Sequence, residues 1–555
     1  MSAEPSIETK TLSSLSKVFP DEDIAEQPVC QATALAGETY SFQVAYRAQG
    51  VTRTIRGVRV KVESRLEPFV SVRTVGWVPS ELPMYPEYEG TLLRSAPGLF
   101  PDPLLPVSET EGHLAVPGQW RSLWVGAELG GSIPEGVYPI RIMFEAEDGR
   151  LLGEAAFELT LLPAALPDQT LIHTEWFHAD CLAVHYNVEV FGEEHWRLME
   201  AYADAATRHG VNMLLTPLFT PPLDTKVGGE RPTVQLIDVI KNGESYSFGF
   251  GKLRRWVEMC GRVGIRYLEM SHLFTQWGAK HAPKIVAAED GQPVKLFGWE
   301  TDASSDAYKA FLDAFLPELV AFLKENGLER RCFFHISDEP HKEHLLSYRS
   351  ARESVRRHLE DFPIIDALSD YDFYEQGDVP TPIPASNKIA PFLQGNVEPL
   401  WTYYCCSQFR KVSNRFFAFP SARNRVIGVQ LYKFDIAGFL HWGYNFWFTQ
   451  YSVSSVDPFH TTDAGCAFPS GDAFLVYPGK DGPIESIRME VFYEALQDLR
   501  ALRLLESLIG REETLRLVEE GLAEPLTFDQ FPQDAEWLLG LRERVNRRIQ
   551  EKIVL

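Results

Sequence analysis

Two adjacent carboxylates and a proline, Asp338, Glu339 and Pro340, close the apolar run Arg331-Cys-Phe-Phe-His-Ile-Ser337. Two acids at one strand tip repel each other and both lose water, which suits a reaction that needs one carboxyl protonated and the other ionised. Successive strand residues point to opposite faces, so the pair shares one site only where the strand breaks up. Pro340 supplies that break, since it lacks an N–H and holds Glu339 in an extended conformation. An ionised Asp338 raises the cost of ionising Glu339 and leaves Glu339 as the candidate general acid. A helix starting near Lys342 aims its positive end at the same turn and opposes this, so burial or the neighbouring anion has to win. The competing reading of the pair is a helix cap or a salt-bridged edge.

Glycoside cleavage uses two carboxyl functions, about 5 to 5.5 Å apart when a side chain is the nucleophile and farther apart when water is. Neighbouring residues suit neither spacing. A substrate with a 2-acetamido group removes the difficulty: its carbonyl oxygen attacks the anomeric carbon, Asp338 steadies the acetamido N–H, and Glu339 protonates the leaving oxygen. Two displacements at one carbon, by that oxygen and then by water, predict retention of configuration.

The hydrophobic rhythm names the elements that must hold the pair. From Leu12 to Pro167 it has period two (Tyr40, Phe42, Val44, Tyr46; Val58, Val60, Val62; Ile140, Ile142, Phe144; Phe157, Leu159, Leu161), with Pro and Gly between the runs. This predicts a β-sandwich over residues 1–167. Strand-like runs at 171–177, 212–218, 266–271, 331–337, 363–368 and 439–446 then alternate with helical patterns at 193–209, 252–263, 305–326 and 342–359. The α/β class follows, as a (β/α)8 TIM-like barrel over 168–480 with an inserted hairpin near 234–250. Asp338 and Glu339 fall at the C-terminal end of its fourth strand, where barrels carry catalytic groups. A doubly wound open sheet is the alternative, but no G-x-G-x-x-G or P-loop follows a strand. Ile487, Val491, Ala495, Leu499 and Leu502 form a helical stripe closed by Gly510, and residues 534–553 form a second, so 481–555 is a helical extension.

Among 555 residues, 53 Lys and Arg stand against 77 Asp and Glu, a formal charge of -24 that repels phosphate backbones and anionic membrane surfaces. Neither nucleic acid nor membrane is an expected partner. The first ten residues lack the basic-then-apolar pattern of a secretory signal, and no run of about 18 apolar residues appears, which predicts a cytoplasmic protein. Seven cysteines without C-x-x-C spacing suggest neither zinc nor disulfides, and adjacent Cys405 and Cys406 read as structural thiols. His173, His178, Asp180 and His185, like His341-Lys342-Glu343-His344, match neither H-E-x-x-H nor H-x-x-E-H, so no metal and no cofactor is expected.

Phe334-His-Ile-Ser-Asp-Glu-Pro340, Gly438-Phe-Leu-His-Trp-Gly-Tyr-Asn-Phe-Trp447, Gly471-Asp-Ala-Phe-Leu-Val-Tyr-Pro-Gly479 and Ser486-Ile-Arg488 together resemble glycoside hydrolase family 123, the β-N-acetylgalactosaminidases, and its related uncharacterised barrel domain. The resemblance covers about 174–500. It implies an exo-acting hydrolase of carbohydrates ending in a 2-acetamido-2-deoxy-β-hexoside, N-acetylgalactosamine favoured, with Asp338 as stabiliser and Glu339 as acid/base. Around the pair, Trp277, Tyr403, Tyr404, Trp442 and Tyr444 could offer flat faces to a pyranose, while His178, Asp180, His272, Gln276 and Asn445 could bond its hydroxyls. Tyr403 or Tyr404 is the candidate donor to the acetamido oxygen. A glycosidase of different sugar specificity is one alternative; a carbohydrate-binding protein without turnover on the same barrel is the non-enzymatic one, and the presence of both acids argues against it.

Overall fold

The computed structural model describes residues 4–107 and 112–553; residues 1–3, which open the stretch read above for a secretory signal, lie outside the described residues. The period-two segment forms two five-stranded sheets. One runs, in spatial order, Ser6–Ser13, Thr39–Gln49, Arg121–Glu128, Val70–Ser80 and Gly98–Pro106; the other runs Gln31–Ala36, Leu151–Ala165, Gly136–Glu145, Ile55–Glu63 and His113–Ala115. Alternation puts Phe42, Val44 and Tyr46 of the first sheet against Ile140, Ile142, Phe144 and Phe157 of the second, in a core of their own. Phe42 stacks on Phe157 with ring centroids 4.3 Å apart.

Eight short parallel strands follow: β1 (Ile172–Glu175), β2 (Met213–Thr216), β3 (Tyr267–Met270), β4 (Cys332–Phe334), β5 (Ile365–Ala367), β6 (Thr381–Ile383), β7 (Trp401–Tyr403) and β8 (Gly438–His441). Six of them pair in the order β4-β3-β2-β1-β8-β7, and β5 pairs with β6. Single parallel bridges, Phe334 to Ile364 and Ala385 to Tyr403, join the two sheets at both ends. One apolar cluster takes residues from all eight strands, among them Ile172, Met213, Tyr267, Phe333, Ile365, Ile383, Trp401 and Leu440. Gly438 makes room for this filling, because a Cβ there would stand 2.1 Å from the Trp401 ring.

Helices Glu193–Arg208, Gly251–Val263, Asp306–Glu325 and Leu345–Leu359 lie between successive strands, as the helical patterns predict. The last is preceded by a 3-10 turn, Lys342–His344, so the regular helix begins beyond the turn that carries the acids. The inserted hairpin, Asp238–Asn242 with Ser245–Gly249, extends into a four-stranded sheet with Ile285–Glu289 and Gln292–Phe297. Strands β6 and β7 are absent from the sequence reading, being three residues each and without a periodic run around them.

Helices Ile487–Ile509 and Ala535–Ile553 tie the two parts together. Arg488 donates to both oxygens of Asp102 from the sandwich at 2.8 and 2.9 Å, Ser14 Oγ donates to Glu494 Oε2 at 2.8 Å, and Arg542 pairs with both Glu38 and Asp498. All seven cysteines are free. Among the described residues no helix is long and apolar enough to cross a membrane, and no group of three or more His, Cys, Asp or Glu is placed to hold a metal ion.

Candidate active site

Beyond Phe334 the chain leaves the ladder, and at Glu339 it turns through a left-handed φ of +43°. A non-glycine residue there costs on the order of 1–3 kcal/mol and persists only where its surroundings hold it. The hold is visible: the Glu339 N–H donates to Ala367 O at the end of β5 (3.0 Å), and the Trp277 N–H donates to Asp338 O (2.8 Å). The bend lets both acids face one cleft, but it is made by a left-handed Glu339 and not by the extended conformation expected before Pro340. Both acids line the cleft, half-buried.

Burial first, and the adjacent Glu339 charge second, push the Asp338 carboxyl well above the ordinary range; the His335 charge opposes them. Burial thus raises Asp338, the residue that sequence reasoning took as ionised. Glu339 instead accepts a 2.6 Å hydrogen bond from the Tyr403 hydroxyl. Burial, and then the Glu339 charge, keep that phenol well above its usual value, so it stays a donor.

Beneath the pair lies a sealed ionic network. His335 bonds Glu269 Oε1 (2.6 Å) and Asp366 Oδ1 (3.2 Å), while Asp366 also accepts the Ile336 and Ser337 N–H groups and the Tyr348 hydroxyl. Burial alone would lower His335, but its bonds to Asp366 and Glu269 outweigh it and hold the imidazole up at about 9. On the other side, Trp442 Nε1 donates to Asp472 Oδ2 (2.9 Å), a carboxyl that burial pushes up to about 7.

The cleft encloses about 170 Å³. Of the ten binding residues expected from sequence, Gln276, Trp277, Tyr403 and Trp442 line it with the two acids. The other six are packed into the framework. Asp180 forms a two-pronged buried pair with Arg231 (2.7 and 2.8 Å). The His178 ring contacts the same arginine and the Trp442 carbonyl, and burial brings it down to about 3. Asn445 bonds the His178 N–H and carbonyl, the Tyr444 hydroxyl donates to Tyr202 O, and the Tyr404 hydroxyl donates to Asn424 Oδ1 at 3.4 Å. His272 is buried, stacked on His335 with centroids 4.2 Å apart. All six lie shortly after a strand of the eight and are buried away from the cleft wall, a distinction that residue type does not carry.

Sequence reasoning passed over Trp176, Leu223, Asp224, Cys405, Cys406, Tyr451 and Phe468 on the cleft wall. A signal existed for Asp224, an acid after the Pro221-Pro222 breaker in the loop that leaves β2. Sequence reasoning also passed over Glu269 and Asp366, single acids within largely apolar strand runs.

Comparison with known proteins supplies the family. Residues 176–505 match the description "Glycoside hydrolase 123, catalytic domain". A family 123 glycoside hydrolase from Clostridium perfringens, whose structure addresses glycolipid glycan hydrolysis, is similar along 99% of this chain and 98% of its own, with TM-score 0.73 and 14% identity. A β-glucuronidase from Parabacteroides merdae, with glycerol in its active site, aligns over 89% of this chain and 52% of its own at TM-score 0.30 and 11% identity. No curated protein matches. The family segment spans more than half of the chain and contains the acids, the cleft and seven of the eight parallel strands; this protein belongs to glycoside hydrolase family 123.

Proposed function

We propose that this glycosidase is retaining and exo-acting on terminal 2-acetamido-2-deoxy-β-hexosides, with N-acetylgalactosamine favoured, and that the acetamido group of the substrate is its nucleophile. The observation that carries the reading is the pair Asp338 and Glu339, adjacent in sequence yet both on one cleft, with Tyr403 bonded to Glu339. We read the eight strands, bridged at both sheet ends and sharing one core, as a (β/α)8 barrel over 168–480, between a β-sandwich of 1–167 and a helical extension of 481–555. A cleft of about 170 Å³ falls below the ~300–1,000 Å³ common for drug-sized ligands and suits one terminal sugar.

In this reading the substrate rearranges the proton. An acetamido N–H presented to Asp338 favours its ionised form, since a hydrogen bond to the charged state lowers a carboxyl pKa. The proton displaced from Asp338 passes to Glu339, and the Tyr403 hydroxyl, released from Glu339, turns to the acetamido oxygen. Glu339 then protonates the leaving oxygen as the acetamido oxygen closes on C1, and as a base it activates the water that opens the cyclic intermediate. Gln276, Trp277 and Trp442 hold the ring.

The test compares an aryl 2-acetamido-2-deoxy-β-galactoside with its gluco epimer and with the plain β-galactoside, following the first-formed anomer by proton NMR. Turnover of acetamido sugars with the β anomer appearing first is the expected result. Equal rates on the plain galactoside would remove the assisting group while leaving a glycosidase, and an α-first product would overturn retention.

A further inference from the structure

A third carboxylate on the cleft wall has no part in the reaction above. Asp224 stands in the loop leaving β2, with a left-handed φ of +39°, and lines the cleft beside Gln276 and Trp277. Its backbone is clamped on both sides: its N–H donates to Gln276 Oε1 and its carbonyl accepts from Ser452 Oγ, both at 2.8 Å. Its Oδ2 accepts the Tyr451 N–H at 2.9 Å, and the Lys226 N–H reaches Tyr451 O at 3.0 Å, so two loops are sewn together at this point. Tyr451 in turn meets Trp277 edge to face, 6.0 Å between centroids.

None of these bonds requires a negative charge. An asparagine carbonyl would accept the Tyr451 N–H equally well, and among the described residues no donor reaches Oδ1 and no cation pairs with Asp224. Arg231, in the same loop, is committed to Asp180 and to Leu223 O. Half-burying a carboxylate without an ion-pair partner is costly, and burial raises this one to about 6 against the Tyr451 N–H and the more distant Arg231 charge, which both lower it. The fold thus uses one oxygen of Asp224 and leaves the second, with the charge, on the wall of a sugar-sized cleft.

We propose that Asp224 is the specificity-determining acceptor for the far edge of the terminal sugar, taking hydrogen bonds from the hydroxyls at C4 or C6. The proposal rests on the glycosidase reading of the cleft, since it assumes C1 and the C2 substituent at Asp338 and Glu339. The hydroxyls left over for recognition then lie across the ring. Gln276, whose amide nitrogen makes one long 3.5 Å contact with Thr225 O, supplies a donor beside this acceptor. A sugar hydroxyl is donor and acceptor at once, so an acceptor next to a donor reads it as a pair. The same charge repels a sugar bearing sulfate or carboxylate on that edge.

The experiment uses the full-length protein, Asp224→Asn and Asp224→Ala, with the aryl 2-acetamido-2-deoxy-β-galactoside and its 4-deoxy and 6-deoxy analogues, alongside calorimetric binding of the corresponding free sugars. Asp224→Asn keeps the Tyr451 contact and should melt with wild type, while its kcat/KM and its affinity for the parent sugar fall about 10- to 100-fold, the range of a hydrogen bond to a charged group. One deoxy analogue should lose as much on wild type and little more on Asp224→Asn, because both changes delete the same bond. Losses that multiply, or a parent sugar bound and cleaved within threefold of wild type by Asp224→Asn, would overturn the proposal. Binding reads Asp224 independently of turnover, so an inactive wild type that still shows the paired losses defeats the reaction and not this assignment. An Asp224→Ala variant that loses melting temperature while Asp224→Asn retains both stability and affinity would mark the residue as a loop clamp only.

Discussion

Tyr403 Oη lies 2.6 Å from Glu339 Oε1 and donates to it, linking the end of β7 to the left-handed turn after β4. The contact fixes the orientation of the carboxyl on the cleft wall, and in the proposed reaction the same hydroxyl passes to the acetamido oxygen. Tyr403→Phe keeps the ring packing and deletes the donor. A bond to a charged partner is worth about 1.5–3 kcal/mol, so kcat should fall roughly 10- to 100-fold with the melting temperature nearly unchanged. Steady-state kinetics beside a thermal melt decides it, and a wild-type rate would show that the hydroxyl is idle.

Asp338→Asn and Glu339→Gln should each lower kcat by orders of magnitude without unfolding the chain. They should separate on leaving group. A nitrophenolate departs without a proton, so it rescues Glu339→Gln far more than Asp338→Asn. A Brønsted series over several phenols measures this, and equal slopes for the two variants would contradict the division of roles.

His335 makes stability depend on pH. Its folded-state value of about 9 lies above the 6.5 of an ordinary imidazole, so the stabilisation is complete below pH 6.5 and is withdrawn as the pH climbs through 9. The difference corresponds to roughly 3 kcal/mol. Denaturant midpoints should fall between pH 6.5 and 9.5 in wild type, and the fall should be smaller in His335→Gln. A wild-type curve flat over that window would contradict the charged imidazole.

Arg488 holds Asp102 and also donates to the Gly471 and Phe474 carbonyls (2.6 and 2.8 Å), the segment that presents Asp472 to Trp442. Arg488→Met leaves Asp102 buried and unpaired, an arrangement that costs about 3–5 kcal/mol. Adding Asp102→Asn should restore part of that loss, because the orphaned charge is the main penalty. Chemical denaturation of the single and double variants checks it; additive losses would be the contrary result.

The acids and their strand were legible because carboxylates after an apolar run conflict with burial, and such conflict is visible without coordinates. Helices Glu193–Arg208 and Asp306–Glu325 were legible through their periodicity. Strands β6 and β7 were not, because three residues are too few to show an alternation, and those of β7 are all buried. The cleft wall was half legible. Trp277 and Trp442 announced themselves as aromatics near strand ends, but so did Tyr404 and Tyr444, which point into packing. Residue type sets what a side chain can do; the last turn of backbone sets whether it meets a ligand.

The way the C-terminal helices grip the sandwich bears on how the protein can be shortened. The family segment opens at Trp176, just past β1, so a fragment trimmed to those limits discards Glu175, the buried partner of Arg415 at 2.7 Å, together with Asp102, the partner of Arg488. Arg415 would lose its Glu175 partner and Arg488 both of its bonds to Asp102, leaving Asp472 as the carboxyl whose charge acts on the two guanidinium groups. Truncation to the hydrolytic segment should yield aggregates in place of a minimal enzyme, and library-based engineering of this scaffold has to carry the front sheets along.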